Sequence, residues 1–201
     1  KMKNNLLNTS LLSINSGISV LYEKIKQQTN KKVISFCLYG SNKWYSLGAQ
    51  KNIEEAKSIY PDFICRIYCP MNVPYLQELK NLAEAGECEL VIPKFSSPPI
   101  FWRILAAADP NVDIAIFRDC DSVVNSREKA AVDEWLNSEK TLHLMHDSKG
   151  NHGHKVMAGM WGIKKNSKIN IIQDLNEFFS QKKYKKIDVN DNSTGWGSGV
   201  A

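Results

Sequence analysis

The chain has 201 residues, 43% of them hydrophobic and 23% charged, which suits one domain with a real core and the composition of an ordinary globular protein. Its formal charge of +5 comes from lysines spread along the chain, which describe a solvated surface rather than a nucleic-acid footprint. Five cysteines, Cys37, Cys65, Cys69, Cys88 and Cys120, stand in apolar surroundings without C-x-x-C spacing, and they read as reduced core residues of an intracellular, cytoplasmic chain.

Residues 1–31 read as an extension ahead of a main domain at 32–201. The stretch "LLNTSLLSINSGISVLYEKIKQQTN" is too polar to span a bilayer and has no signal-peptide cleavage pattern. An added helix packed on the domain is expected there, with a peripheral membrane or partner contact as the alternative. The start "KMK" and the end "GWGSGVA" suggest a piece of a longer polypeptide with further domains. The N-x-[ST] triplets at Asn8 and Asn192 are what an asparagine-rich sequence produces by chance.

From Lys32 onward strand and helix alternate. "KVISFCLYG" predicts a strand closed by Gly40, and "NIEEAKSIY" a helix stopped by Pro61. "DFICRIYC" predicts a strand, "PYLQELKNLAEAG" a helix ended by glycine, and "CELVIPKF" another strand. In "SSPPIFWRILAAADP", Ser97 is the expected cap of a helix with prolines in its first turn. "VDIAIF" predicts the next strand, and Ser126 the cap of the helix "REKAAVDEWLNS". "TLHLMHD" and "KVMAGMWGIKK" read as strands, "INIIQDLNEFFSQ" as a helix, and 182–201 has the composition of a mobile surface segment. This order predicts an α/β fold with a largely parallel sheet covered by helices on both faces, binding ligands beyond the carboxyl ends of its strands.

That edge receives Asp119 and Asp121, one residue apart at the end of an apolar run. Residues two apart in extended chain share a side, so both carboxylates can aim at one point while Cys120 faces the core. Two hard oxygen ligands suit Mn²⁺ or Mg²⁺, with open positions for water and for substrate oxygens such as a diphosphate. Only four arginines occur among 26 basic residues, and Arg103, Arg118 and Arg127 lie close to the pair in sequence. Where lysine is the default cation, an arginine suggests either a fork for an anion or a structural ion pair.

Four ordered landmarks, "FWRIL" (Phe101 to Leu105), "IFRDCDS" (Ile116 to Ser122), "REKAAVDEWL" (Arg127 to Leu136) and "MAGMWGIKK" (Met157 to Lys165), resemble those of nucleotide-sugar glycosyltransferases of the GT-A (Rossmann-like) fold. Within that family they are similar to bacterial and large-DNA-virus enzymes, including chlorovirus enzymes acting on capsid glycans. The resemblance spans about Lys32 to Gln181. It implies a UDP-sugar donor, a glycan or other hydroxyl acceptor, Mn²⁺ or Mg²⁺ on Asp119 and Asp121, and transfer with retention. It also implies that Leu38, Tyr39 and Gly40 hold the uridine, that Arg103, Arg118 and Cys120 adjoin the donor, and that Gly159, Met160, Trp161 and Gly162 line the sugar and acceptor pocket. In "HDSKGNHGH" it matches Asp147 to an aspartate that orients a sugar hydroxyl or serves near the anomeric carbon, in a catalytic role alongside Asp121. His152, with His154 as its rival, matches a histidine near the diphosphate or the metal.

Two other readings stand beside it. "IFRDCDSVV" also satisfies the D-x-D-x-[TV] pattern of haloacid-dehalogenase-type phosphatases, with Asp119 as nucleophile and Asp121 as general acid, although there the pattern normally follows the first strand. A noncatalytic module that binds a nucleotide sugar is the third, because fold does not decide catalysis.

Overall fold

The structure is a computed structural model that describes residues 19–22, 30–94, 97–146 and 156–181. In chain order its elements are β1 (Ser19–Tyr22), β2 (Lys31–Cys37), α1 (Lys43–Ile59), β3 (Ile64–Tyr68), α2 (Leu76–Glu84), β4 (Cys88–Lys94), a 3-10 helix (Pro99–Ala108), β5 (Val112–Arg118), α3 (Ser126–Leu136), β6 (Leu142–Leu144), β7 (Trp161–Lys164) and α4 (Ile171–Ser180). The strands form one seven-stranded sheet in the order β1-β4-β3-β2-β5-β7-β6. β4, β3, β2 and β5 are parallel neighbours, and β1 and β7 run against them. β6 pairs antiparallel with β7 and so points the same way as the central four.

The fold is therefore α/β with a mixed sheet. Parallel direction dominates the centre, where βαβ crossovers supply the connections, and antiparallel pairing takes over towards both edges. Helices cover both faces. On one, Ala49 and Ile53 of α1, Leu79 of α2, and Val132 and Trp135 of α3 pack on Ile34, Phe36 and Ile116. On the other, Trp102 and Leu105 of the 3-10 helix and Leu175 of α4 pack on Val33, Ala115 and Phe117. Each central strand is thus buried on both sides, which is why β2 and β5 read as near-continuous apolar runs.

Several elements differ from the sequence expectation for local reasons. Helix α1 begins at Lys43, well ahead of "NIEEAKSIY", because Asn42 caps it by accepting from the Trp44 amide at 3.0 Å. Ser97 is not a cap. Its hydroxyl is buried without a hydrogen-bond partner among the described residues, and the helix after it is a 3-10 helix starting at Pro99. Ser126 is displaced as a cap by Asn125, whose side chain accepts from the Glu128 amide at 3.0 Å. "KVMAGMWGIKK" is a strand only over Trp161–Lys164. Within the extension expected to be helical, Ser19–Tyr22 is a strand paired with β4, and its register sets Val20 opposite Pro93, which cannot donate a ladder bond. The rest of that extension and 182–201 lie outside the described residues.

Arg66, fully buried on β3, joins three elements through its guanidinium. Its Nε reaches Glu89 of β4 at 2.6 Å, and its Nη1 reaches Asp109, just after the 3-10 helix, at 2.9 Å. Lys31, at the start of β2, bonds the other Glu89 oxygen. A buried fork with two carboxylates fixes the 3-10 helix against the sheet.

All five cysteines are free and buried. Burial pushes the Cys37 thiol up to about 11 and those of Cys65, Cys69 and Cys88 up to about 12, and it raises that of Cys120 as well. The thiolate fraction at pH 8 is then about 100-fold or more below that of a free cysteine. The native chain is expected to resist a disulfide reagent such as Ellman's at pH 8 and to release five equivalents once unfolded in guanidinium. Rapid reaction of the native chain would show that a thiol is accessible.

Candidate functional site

Strand order reverses at β2, with β3 on one side and β5 on the other. In an open α/β sheet the crevice beyond the carboxyl ends at such a reversal is where ligands bind. β2 ends at Cys37 and continues through Leu38, Tyr39 and Gly40, while β5 ends at Arg118 and continues through Asp119, Cys120 and Asp121. The two segments predicted from sequence to share a site are thus brought together by parallel pairing of their strands. The thiol of Cys120 lies 3.6 Å from the Cys37 carbonyl.

Asp119 is the fixed member of the aspartate pair. Arg103, buried in the 3-10 helix, donates from Nη1 both to the Arg118 carbonyl at 2.7 Å and to Asp119 Oδ1 at 2.6 Å. The Asp119 side chain remains 46% exposed, so its second oxygen stays available. Gly159 abuts that oxygen. A Cβ built on Gly159 would overlap Asp119 Oδ2 and lie 3.0 Å from the Asp119 amide. Only glycine lets the backbone pack this closely on the carboxylate. Asp121 is exposed.

The turn between the aspartates is held from α1. A Cβ at Gly48 would overlap the Cys120 carbonyl oxygen, so only glycine admits the helix this close to the turn. One turn on, the fully buried Asn52 donates to the carbonyls of Gly48 (2.9 Å) and Ser122 (3.0 Å), and it accepts from the Val124 amide at 2.9 Å. Tyr45, on the first turn of α1, sits within electrostatic reach of both carboxylates. Burial first, then the charges of Asp121 and Asp119, raise its phenol. Burial pushes Tyr39 up to about 12. Both tyrosines are therefore neutral donors at physiological pH.

The other predicted site residues divide by face. Leu38 and Cys120 are core side chains and cannot line a ligand pocket with their side chains; the apolar packing under the switch point takes both. Arg118 alternates to the face opposite Asp119, where its Nε binds Glu128 of α3 at 2.7 Å and its Nη1 binds the carbonyls of Phe117 and Trp161. Its Nη2 is buried with no acceptor among the described residues. Trp161 packs its ring on Phe117, centroids 4.2 Å apart, and Gly162 lets β7 approach Ile116 and Trp135. Gly40 is exposed with φ +82°, the left-handed turn that glycine permits. Asp147, His152 and His154 lie outside the described residues.

An open groove of about 850 Å³ runs from the aspartates between α3 and β6, with Asp119, Asp121, Arg118, Gly159 and Met160 at one end. Arg127, Lys140 and His146 add basic groups along it. His143, stacked on Trp135 at 5.2 Å, also lines it; burial and the nearby Arg118 hold its imidazole below the usual range, hence neutral at pH 7.

Sequence reasoning missed Gly48, Asn52 and Tyr45. No local pattern marks them, because their task is set by where α1 crosses the end of β5. Among the described residues no three His, Cys, Asp or Glu side chains converge as a metal cage. The pair nevertheless fits a cation that keeps most of its shell for water and substrate: both groups offer hard oxygens, Asp121 is exposed, and the Asp119 side chain is half-exposed.

Gly159→Ala drives a methyl into the Asp119 carboxylate. It is expected to weaken metal-dependent ligand binding about tenfold, as in the loss of one well-placed contact, while overpacking lowers stability by about 1 kcal/mol. Titration and a urea melt read the two effects separately. Unchanged affinity would show that the carboxylate swings clear.

No protein-family model, no curated protein and no solved structure matches this chain.

Proposed function

We propose that the chain is a metal-dependent glycosyltransferase domain of the GT-A type, moving a sugar from a UDP-sugar to a hydroxyl of a glycan acceptor with retention. The observation that carries this reading is the aspartate pair. Two carboxylates, one clamped by a buried arginine and one exposed, stand at the strand-order reversal and open on the groove. The resemblance of the four landmarks supports the reading, as do the contacts among their residues: Arg103 of "FWRIL" holds Asp119 of "IFRDCDS", Gly159 of "MAGMWGIKK" abuts it, and Glu128 of "REKAAVDEWL" anchors Arg118.

In this reading Asp119 and Asp121 would hold Mn²⁺ or Mg²⁺, which when bound neutralises charge on the departing diphosphate. Arg103 sets the orientation of Asp119. Tyr39 and Tyr45 offer neutral hydroxyls beside the pair, and Gly40 leaves backbone accessible for the nucleoside. The groove between α3 and β6 takes the sugar and acceptor, and Asp147 and His152 keep the roles that the resemblance assigns them at the anomeric carbon and the diphosphate.

Calorimetric titration of UDP into the purified chain, with manganese and then with EDTA, tests this. Binding that vanishes in EDTA is the expected result. No binding in either condition would remove the donor, and Asp119-dependent hydrolysis of a phosphomonoester would then establish the phosphatase.

A further inference from the structure

Two residues on the wall of the groove between α3 and β6 carry a buried polar atom with no hydrogen-bond partner among the described residues: Arg118 at Nη2 and His143 at Nε2. Arg118 is 3% exposed, and its other nitrogens are taken, Nε by Glu128 and Nη1 by the carbonyls of Phe117 and Trp161. Buried polar atoms are nearly always met, and a charged donor left unmet destabilises a fold, so the two atoms point to an oxygen-bearing ligand. Strand register brings their residues to one face. Gly162 of β7 pairs with Ile116 of β5 on one side and with His143 of β6 on the other, and Arg118 follows Ile116 by two residues, so all share the face that α3 covers. Gly162 has no side chain there, and Trp135 of α3 fills the gap with its ring stacked on His143.

Glu128 completes the set. Among the described residues only its Oε1 has bonds, accepting from Arg118 and from the Tyr60 hydroxyl at 3.1 Å, and the side chain, 15% exposed, lines the same groove. A guanidinium arm only donates, a carboxylate oxygen only accepts and a neutral imidazole nitrogen does either. Neighbouring hydroxyls satisfy all three, since each hydroxyl both gives and takes a hydrogen bond. Half-exposed Met145, Met157 and Met160 in the same groove offer apolar surface to the C–H faces of a sugar ring. Charge selects further. Among the described residues four carboxylates (Asp119, Asp121, Glu128, Glu134) and three fixed cations (Arg118, Arg127, Lys140) line the groove, and a wall of mixed sign favours a neutral ligand over an anionic one.

We propose that Arg118, Glu128 and His143 form a hydroxyl-reading subsite that holds a neutral sugar ring in the groove. Arg118 lies on the face opposite Asp119, so the ring it holds stands apart from the aspartate pair and belongs to the acceptor, an assignment that rests on the glycosyltransferase reading. The recognition of hydroxyls does not depend on it.

Saturation-transfer difference NMR of the full chain with the methyl glycosides of glucose, galactose and mannose, in EDTA and without nucleotide, tests it. At least one glycoside is expected to receive saturation, and its uronate and 6-phosphate counterparts less. His143→Phe keeps a ring on Trp135 and removes Nε2, so affinity for that glycoside should fall about tenfold while the thermal midpoint holds or rises, because an unmet polar atom is gone. Arg118→Lys keeps a cation for Glu128 but loses the unmet arm, and it serves as the second probe should the first variant fold poorly. Transfer to none of the three glycosides overturns the proposal, as does stronger transfer to the acidic sugars or full affinity in both variants. Each of these failures leaves the UDP titration with manganese standing. Sugar binding without UDP binding would instead keep the subsite and remove the donor, so the two readings fall separately.

Discussion

Asp119→Asn should lower manganese-dependent UDP affinity about 100-fold, close to 2.7 kcal/mol, while the chain keeps its fold. The amide preserves the shape of the carboxylate and an oxygen for Arg103, but it removes the charge a divalent cation needs. Asp119→Ala has a second effect. It strips Arg103, 4% exposed, of its counter-ion and leaves it neutral partners such as the carbonyls of Ile100 and Arg118, so destabilisation of about 2 kcal/mol accompanies the loss of binding. Comparing the two variants by titration and urea melt separates metal ligation from structural support. Asn at wild-type affinity would refute the metal assignment, and Ala at wild-type stability would show that Arg103 finds another partner.

Arg66→Ala should be the most damaging change to the fold, costing about 3–5 kcal/mol. The arginine is fully buried, and its removal leaves Asp109 (5% exposed) without a cation and Glu89 with Lys31 alone. At 2–4 °C per kcal/mol for a domain of this size, the thermal midpoint should fall by about 10 °C. Adding Asp109→Asn to the variant should recover part of the loss, because a neutral amide is cheaper to bury than an unpaired carboxylate. A midpoint unmoved by Arg66→Ala would mean that water reaches the network. Because Asp109 follows the helix that carries Arg103, a looser network should also weaken the hold on Asp119.

The alternation of apolar runs and helical periods was enough to locate most central strands and the helices between them, because a strand buried on both faces announces itself as a continuous run. Edges were less legible. β6 has three residues and β7 four, and a short strand carries too little pattern to separate it from a loop. The caps at Asn42 and Asn125 were missed because any nearby Asn or Ser satisfies the same local rule, and tertiary packing chooses among them. The aspartate pair was readable as a motif, whereas Arg66, Arg103 and Arg118 could not be told apart: the same residue type serves as core ion pair, as carboxylate clamp and as brace to α3. Gly48 lies ahead of the expected helix "NIEEAKSIY" and carries no local signal, because its role depends on the turn it touches.

That contact has a consequence for how the site meets a ligand. Gly48 and Asn52 join the turn bearing both aspartates to a seventeen-residue helix that is seated in the core, so the turn is ordered before anything binds. A loop that must be frozen by its ligand sacrifices affinity to conformational entropy, and one already rigid does not. The backbone of the turn is preorganised, and under the metal reading proposed above a cation would meet it already in place rather than wait for a flexible loop to close.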